Sequence, residues 1–245
     1  LKKVDRDGKL LAGAKFHIED QRGNEIGVSG SIGSYKVSES STTYSMNTSS
    51  TDNGGVNLVV SGLTAGDYYF VEDSAPTGYA LPSNTKNKVT VTAGQTTSVT
   101  GNTVSVVNTP KEGSAKISVT KSYNGTWPTN GFEFELIAGT NNAGIDTPMP
   151  ATTTVTASDS NRTADFGDIK YTKAGTYNYS ISEVLPKGVN TSNTTLNGIT
   201  YDTSAHQVKV VVTESKNSLE SKVTYDDNQS SLTVTNTYKI GRAHV

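Results

Sequence analysis

The chain of 245 residues contains no cysteine, which excludes disulfide bonds and thiolate metal sites. Its formal net charge is only -2 and it has no basic stripe, so nucleic acids and anionic membranes are poor partners. No run approaches the roughly 20 apolar residues of a membrane span, and no signal peptide is visible. We therefore expect no metal, no cofactor and no membrane contact in this segment. If it works outside the cell, it needs a cross-link other than a disulfide.

Short strand-like runs alternate with turns of Gly, Asn, Asp and Ser, and no stretch shows a helical apolar period. The strands predicted in the first half are 1–5, 13–20, 55–60, 67–73, 86–92 and 96–108. Those predicted in the second half are 115–121, 131–138, 151–156, 163–171, 175–184, 206–213, 219–226 and 231–238. The polar stretch 28–54 predicts a loop or hairpin, and 109–114 predicts a linker. The expected fold is all-β, with two tandem Ig-like or prealbumin-like β-sandwiches.

Both ends of the chain are those expected of a fragment. It begins without Met inside a predicted strand, and its last six residues, 240–245, differ in style from all that precedes them. A common sequencing-adapter stretch encodes that hexapeptide in one reading frame. We expect the natural sequence to stop near Lys239, with 240–245 a non-native tail, and we assign no function to Arg242 or His244.

Three residue types recur twice in the same order, and five of the six continue the apolar face of a strand instead of the solvent-facing one. The sixth, Lys3, lies on a strand that is cut short by the start of the sequence. Side chains two positions apart share a face, so Phe70 and Glu72 lie together, as do Ile181 and Glu183. The two sets are Lys3, Glu72 and Asn108, then Lys121, Glu183 and Asn236. Any one of these is more often a solvated strand end or a turn residue. Two complete sets in matching order favour a chemical role.

Burial of these groups predicts a specific reaction. Desolvation lowers the pKa of a Lys amine by up to about 3–5 units and raises that of a carboxyl, so both become neutral. A neutral amine facing an Asn carboxamide, polarised by a protonated Glu, is arranged for acyl transfer. The amine attacks the amide carbon, ammonia leaves, and a Lys–Asn isopeptide bond remains. The fixed geometry of a folded core supplies the effective molarity that this poor electrophile needs.

The first half resembles the Cna B-type, or SpaA-like prealbumin-fold, domain of Gram-positive surface proteins. The segments that carry this resemblance are LKKVDRDGKLLAGAKFHIED, GGVNLVVSGLTAGDYYFVEDSAPTGYALP and VSVVNTP. It implies a domain at 1–110 with an isopeptide site at Lys3, Glu72 and Asn108. Lys2 is the alternative donor if the first strand is in another register.

The second half resembles the streptococcal pilin isopeptide linkage domain, through KISVTKSYNG, GFEFEL, ADFGDIKYTKAGTYNYSISE, GITYDTSAHQVKVVV and SLTVTNTY. This implies a domain at 111–239, with Lys121 and Asn236 cross-linked and Glu183 as the catalytic acid. No LPxTG sorting signal is present, since the stretch 81–85 lacks the required Thr and Gly positions. No polymerisation motif with a sortase-accepting Lys is evident, so pilin and non-polymerising adhesin both stay open.

Three functions follow as hypotheses. The first is a structural stalk module of a cell-wall adhesin or pilus, extracellular, whose partners are neighbouring domains of the same surface protein or pilus. The second is a ligand-binding module that holds a host protein or glycan through the 28–54 insertion, with Tyr35 and Tyr44 as contributors. The third is an enzyme, but His17 and His206 are isolated on strand patterns and no catalytic motif accompanies them. The Asp5–Gly8 stretch resembles part of a calcium loop without its other ligands, which predicts a turn.

Overall fold

In the computed structural model, which describes residues 1–94 and 102–239, every regular element is a β-strand. The chain divides into two compact units, Leu1–Lys111 and Glu112–Val245. Within the described residues no helix is long and apolar enough to span a bilayer. The expected all-β class with two tandem β-sandwiches is confirmed. The tail at 240–245, with Arg242 and His244, lies outside the described residues.

The first unit places its core between two sheets. Its strands are β1 (Lys2–Val4), β2 (Lys15–Glu19), β3 (Val28–Ser31), β4 (Ser34–Val37), β5 (Met46–Asn47), β6 (Val59–Ser61), β7 (Gly66–Ser74), β8 (Tyr79–Ala80), β9 (Lys86–Val91), β10 (Ser105–Val107) and β11 (Thr109–Pro110). One sheet has the order β5-β2-β7-β9 and the other β3-β4-β6, while β1 pairs with β10 and β8 with β11. Phe16, Ile18 and Phe70 form the centre of the shared core.

The second unit is a sandwich of two five-stranded sheets. Its strands are β12 (Gly113–Tyr123), β13 (Phe132–Asn141), β14 (Thr154–Ala157), β15 (Thr163–Tyr171), β16 (Gly175–Glu183), β17 (Thr195–Leu196), β18 (Ile199–Thr200), β19 (Ala205–Glu214), β20 (Leu219–Tyr225) and β21 (Thr233–Tyr238). The sheets have the orders β15-β12-β21-β18-β17 and β14-β13-β16-β19-β20. Buried side chains alternate with half-buried or exposed ones along β12 and with half-buried ones along β16, so each strand gives one face to the core.

The stretch 28–54 contains a hairpin as expected, formed by β3 and β4, but it contributes to the first unit's core instead of being a polar insertion. It carries β3, β4 and β5, and buries Val28, Tyr35 and Met46. Tyr35 is buried in this core, and its hydroxyl accepts a hydrogen bond from the backbone N–H of Asn47. Tyr44 keeps 38% of its surface exposed.

Other boundaries differ from those expected. The predicted linker is mostly strand, because β11 pairs with β8 and β12 begins at Gly113. The strand predicted at 55–60 is found at Val59–Ser61. Of the strand predicted at 96–108, the part up to 101 lies outside the described residues and β10 covers Ser105–Val107.

Two buried lysine, glutamate and asparagine sites

In each unit the first strand pairs in parallel with a strand near the end of the unit, β1 with β10 and β12 with β21, and this pairing places the Lys and Asn of each set together. In the first unit Lys3 on β1 is in register with Val106, two residues before Asn108. In the second unit Lys121 on β12 is in register with Val234, two residues before Asn236. Residues two apart share a face, so in both units the Asn side chain follows on the face that carries the Lys.

The Glu of each set comes from a strand of another sheet, where it stands opposite a Phe. Glu72 on β7 is in register with Phe16 of β2, and Glu183 on β16 is in register with Phe134 of β13. All six side chains of the two sets are buried, with at most 6% of any residue exposed. We call Lys3, Glu72 and Asn108 site 1, and Lys121, Glu183 and Asn236 site 2.

In site 1 the three polar groups close a triangle. The Lys3 ammonium nitrogen Nζ donates to Asn108 Oδ1 in a very short contact and to the backbone oxygen of Val106 at 3.3 Å. Asn108 Nδ2 donates to Glu72 Oε1 at 2.8 Å, and Glu72 Oε2 lies 3.3 Å from Lys3 Nζ. Lys2, the alternative donor, is only half-buried and is absent from these contacts, so the geometry favours Lys3.

In site 2, Glu183 lies between the two nitrogens and contacts both. Lys121 Nζ lies 2.5 Å from Glu183 Oε2, and Asn236 Nδ2 donates to Glu183 Oε1 at 2.7 Å. Asn236 Oδ1 accepts the backbone N–H of Asp202 at 2.8 Å. The amide nitrogen of Asn236 therefore faces an acceptor, and its amide oxygen faces a donor.

Burial shifts both bases and both acids toward their neutral forms. Desolvation lowers the pKa of Lys3 from 10.5 to about 8 against the opposing pull of Glu72, and it lowers the pKa of Lys121 as well. Desolvation raises the pKa of Glu72 and that of Glu183, although the neighbouring Lys opposes the rise in each case. Each pair thus moves toward a neutral amine beside a protonated carboxyl, which is the state that nucleophilic attack requires.

Aromatic side chains that were not predicted as site residues cover site 2. Lys121 Nζ lies 4.7 Å from the ring centre of Phe132 and 5.6 Å from that of Phe134. Phe132 packs edge-on against Tyr123, Trp127 and Tyr201. This apolar cover is the source of the desolvation that favours the neutral amine.

The structure shows which carboxamide atom Glu183 contacts. The sequence predicts that a protonated Glu polarises the Asn carboxamide, and Glu183 contacts the amide nitrogen of Asn236, while the backbone N–H of Asp202 contacts the oxygen. Glu183 therefore bridges the attacking and the leaving nitrogen. In this position a carboxyl can move a proton from one to the other.

The two histidines are not isolated, contrary to expectation. His17 contacts Asp73 through Nδ1 at 2.8 Å and Glu19 through Nε2 at 3.2 Å. His206 contacts Asp226 through Nδ1 at 2.7 Å and Asp202 through Nε2 at 3.2 Å. No group of side chains suited to hold a metal ion occurs within 1–94 and 102–239.

The 5–8 stretch forms the expected turn. Asp5 Oδ1 accepts the backbone N–H groups of Asp7 and Lys9, and Gly8 adopts a φ of 80° that favours glycine.

The comparisons with known families divide the chain in two. Residues 117–239 match the FctA family, a Spy0128-like isopeptide containing domain. Residues 1–105 match the SpaA family, a prealbumin-like fold domain. No curated protein matches the chain at a significant level.

Three solved structures are similar over almost the whole chain. The C-terminal fragment of the pilus adhesin SpaC from Lactobacillus rhamnosus GG is 18% identical, with 99% of this chain and 97% of that one covered and a TM-score of 0.46. The streptococcal ancillary pilin is 19% identical, with 98% and 61% covered and a TM-score of 0.38. BcpA, the major pilin subunit of Bacillus cereus, is 14% identical, with 96% and 67% covered and a TM-score of 0.34. This chain thus spans about three fifths of the ancillary pilin's length, and these TM-scores carry no argument about function.

Proposed function

The chain belongs to the FctA family of Spy0128-like isopeptide containing domains, and on that basis we propose that it is a structural stalk module of a Gram-positive cell-wall-anchored adhesin or pilus. In this proposal each unit is held by an autocatalytic isopeptide bond, Lys3 to Asn108 in the first and Lys121 to Asn236 in the second. Glu72 and Glu183 act only in forming these bonds. The domains are 1–110 and 111–239, and their partners are neighbouring domains of the same extracellular assembly.

One observation carries the proposal: two separate units bring Lys, Glu and Asn together in the same register. In both, the Lys lies opposite the residue two positions before the Asn, on adjacent parallel strands. In both units, the Glu carboxylate contacts the Lys Nζ and the Asn Nδ2. A buried Lys–Glu pair contributes little to stability by itself, so a repeated buried triad favours a covalent purpose.

The bond forms in site 2 by transfer of the Asn236 acyl group from its own Nδ2 to Nζ of Lys121. The neutral Lys121 amine attacks Cγ of Asn236, and the carbonyl electron pair moves onto Oδ1. The protonated Glu183 carboxyl gives its proton to Nδ2 and takes one from Nζ. The electron pair on Oδ1 then re-forms the Cγ–Oδ1 double bond as the Cγ–Nδ2 bond breaks with its electron pair on nitrogen. Ammonia leaves, and Glu183 is protonated again. Site 1 reacts in the same way through Glu72.

The position of these bonds suits a load-bearing module. The bond of the second unit joins its first strand, β12, to its last, β21, and the bond of the first unit joins β1 to Asn108, which directly follows β10. Because β1 and β10, like β12 and β21, are parallel neighbours, tension applied at the two chain ends loads them in shear. A covalent bridge between them carries the force past the sandwich, so the strands between the bonded residues are not unfolded. Unlike disulfides, amide bonds also survive reducing conditions.

Single-molecule stretching tests the load-bearing role. Pulled from both ends, the chain should show no unfolding event from the segment between Lys121 and Asn236. The control is the double variant Asn108→Ala and Asn236→Ala, which keeps both lysines and both carboxyls. Its second unit should release about 400 Å of chain at about 3.5 Å per residue. A release of that length from the unaltered protein would contradict the stalk proposal.

The ligand-binding alternative gains no support from the 28–54 segment. Its Tyr35 is buried and hydrogen-bonded, and its strands complete the core. The stalk role therefore remains the function that the geometry supports best.

A further inference from the structure

The carbonyl oxygen of Asn236 has a hydrogen-bond donor that the proposed reaction can use. The backbone N–H of Asp202 donates to Asn236 Oδ1 at 2.8 Å, and this is the oxygen that gains negative charge when Lys121 attacks Cγ. We propose that the Asp202 amide is the oxyanion donor of site 2, held in place by a clamp formed by the side chains of Asp202, His206 and Asp226. The inference rests on the isopeptide function proposed above and adds to it the group that stabilises the transition state.

The contacts around Asn236 fix which of its amide atoms faces which partner. A backbone N–H can only donate, so the Asn236 atom beside Asp202 has to be the oxygen. The nitrogen then faces Glu183 Oε1 at 2.7 Å. Turning the amide over would set the Asp202 N–H against the Asn236 NH₂ group, two donors facing each other. Glu183 therefore does not contact the developing oxyanion, which leaves that role to Asp202.

The clamp holds the loop before β19 to two strands of the adjoining sheet. Asp202 accepts the backbone N–H of Ser204 at 2.8 Å, and its Oδ2 lies 3.2 Å from His206 Nε2. His206 Nδ1 lies 2.7 Å from Asp226 Oδ2, and Asp226 Oδ1 accepts the backbone N–H of Gln207 at 2.7 Å. His206 lies on β19 and Asp226 directly follows β20. The imidazole thus connects the Asp202 loop to a rigid sheet.

Hydrogen bonds also keep both carboxyl groups of the clamp ionised. Burial raises the pKa of Asp202, but hydrogen bonds from Ser204 and the contact with His206 outweigh burial and lower it overall. Burial acts in the same direction on Asp226, and the bonds from His206 and Gln207 again lower its pKa overall. An ionised carboxylate accepts hydrogen bonds more strongly, which stiffens the loop that presents the amide.

The first unit is an internal control, because all three clamp residues belong to the second unit. In site 1, Asn108 Oδ1 accepts from Lys3 Nζ. The first unit also has a histidine between two carboxylates, His17 with Asp73 and Glu19. A perturbation of the clamp should therefore affect the bond of the second unit and leave that of the first unchanged.

The direct test removes the one N–H. The full chain is made by cell-free synthesis with the α-hydroxy analogue of aspartate at 202, which replaces the amide by an ester and keeps the side chain. Samples quenched over time are digested, and ammonia loss at each site is followed by peptide mass. Ammonia loss at site 2 should slow roughly 10²–10³-fold, as when other oxyanion donors are removed, and the rate at site 1 should not change. The matched control replaces the backbone amide of Ser192 by an ester and keeps the serine side chain. The Ser192 N–H donates to Asn190 Oδ1 at 2.9 Å, and neither residue belongs to a site.

A second pair of variants tests the clamp. His206→Ala should slow site 2 on the order of tenfold, as for other residues that orient a reacting group, while His17→Ala should slow neither site. Emission of Trp127, the only tryptophan of the chain, reports the folding of the second unit in the same time course. It separates slow folding from slow chemistry.

A wild-type rate at site 2 in an ester variant with native Trp127 emission would overturn the proposal, as would equal slowing of both sites. If the ester variant fails to reach native emission, the His206→Ala comparison decides, and an unchanged site 2 rate there overturns it. Absence of ammonia loss from the unaltered protein is a different result, which refutes the isopeptide function itself.

Discussion

Replacing Glu183 by Gln should leave the second unit folded but without its cross-link. Gln has nearly the same volume, so the core around Phe134 stays filled, but it has no carboxyl to move a proton from Lys121 Nζ to Asn236 Nδ2. The chain should keep the ammonia that site 2 otherwise loses. Site 1 is untouched and should still react.

The size of the effect follows from the loop that the bond closes. The segment between Lys121 and Asn236 exceeds 100 residues, and the entropy model used for disulfides gives about 5 kcal/mol for a loop of that length. For a unit of this size that loss lowers the melting temperature by about 15–20 °C. The buried Lys121 amine, now without its covalent partner, adds to the loss.

Calorimetry and intact mass are measured on the same samples, with Glu135→Gln as the control. Glu135 is exposed on β13, so its replacement should change neither the mass lost nor the melting temperature of the second unit. If Glu183→Gln loses ammonia at site 2 at the wild-type rate, Glu183 is not the proton carrier. If Glu183→Gln keeps the ammonia but melts at the same temperature as the wild type, the bond does not stabilise the fold as calculated.

Two further predictions concern site 1. Lys3→Ala should abolish ammonia loss in the first unit, whereas Lys2→Ala should leave it intact, and peptide mass of the two variants shows which lysine is the donor. In Asn108→Ala, which keeps Lys3 and Glu72 without a cross-link, stability should pass through a minimum near neutral pH. The pKa of Glu72 is raised in the folded state above its ordinary value of 4.5. Between pH 4.5 and that raised pKa the folded state therefore binds more protons than the unfolded state, and the free energy of unfolding falls as the pH rises. The pKa of Lys3 is lowered from 10.5 to about 8, so between these two pH values the free energy of unfolding rises again, by about 3 kcal/mol. Urea denaturation measures this profile, and a free energy of unfolding that stays constant from about pH 5 to pH 10 would contradict both shifts.

Strand parity predicted the burial of five of the six triad residues, whereas Lys3, near the start of the sequence, was assigned from the family resemblance. Period-two alternation placed Glu183 with Ile181 and Asn236 with Val234, and both acids and amides are buried as that parity requires. Parity works here because a one-residue slip would move every core side chain to the solvent face.

Elements with sparse or non-local signals were missed. The hairpin predicted within 28–54 is found as β3–β4, but the contribution of this stretch to the core was missed, because polar residues between the buried Tyr35 and Met46 mask the alternation. The β17–β18 hairpin was missed although Asn197-Gly198 is a strong two-residue turn signal, with φ values of 51° and 80°.

The Asp202 contact could not be predicted from the sequence. Its donor is a backbone N–H, which every residue except proline carries, so residue type gives no signal. The contact depends on the path of the loop between β18 and β19 relative to Asn236, and that path is set by packing of the sandwich. The same holds for the aromatic cover, because Trp127 and Tyr201 meet at Phe132 from distant parts of the chain.

The most direct test of the cross-links is tandem mass spectrometry of the unaltered protein after proteolysis. We expect two branched peptides, one joining Lys3 to Asn108 and one joining Lys121 to Asn236, each lighter by one ammonia than the sum of its linear parts. The intact chain should correspondingly weigh less than its encoded mass by two ammonia molecules. Linear peptides containing unmodified Lys121 and Asn236, together with an intact mass equal to the encoded value, would contradict the account.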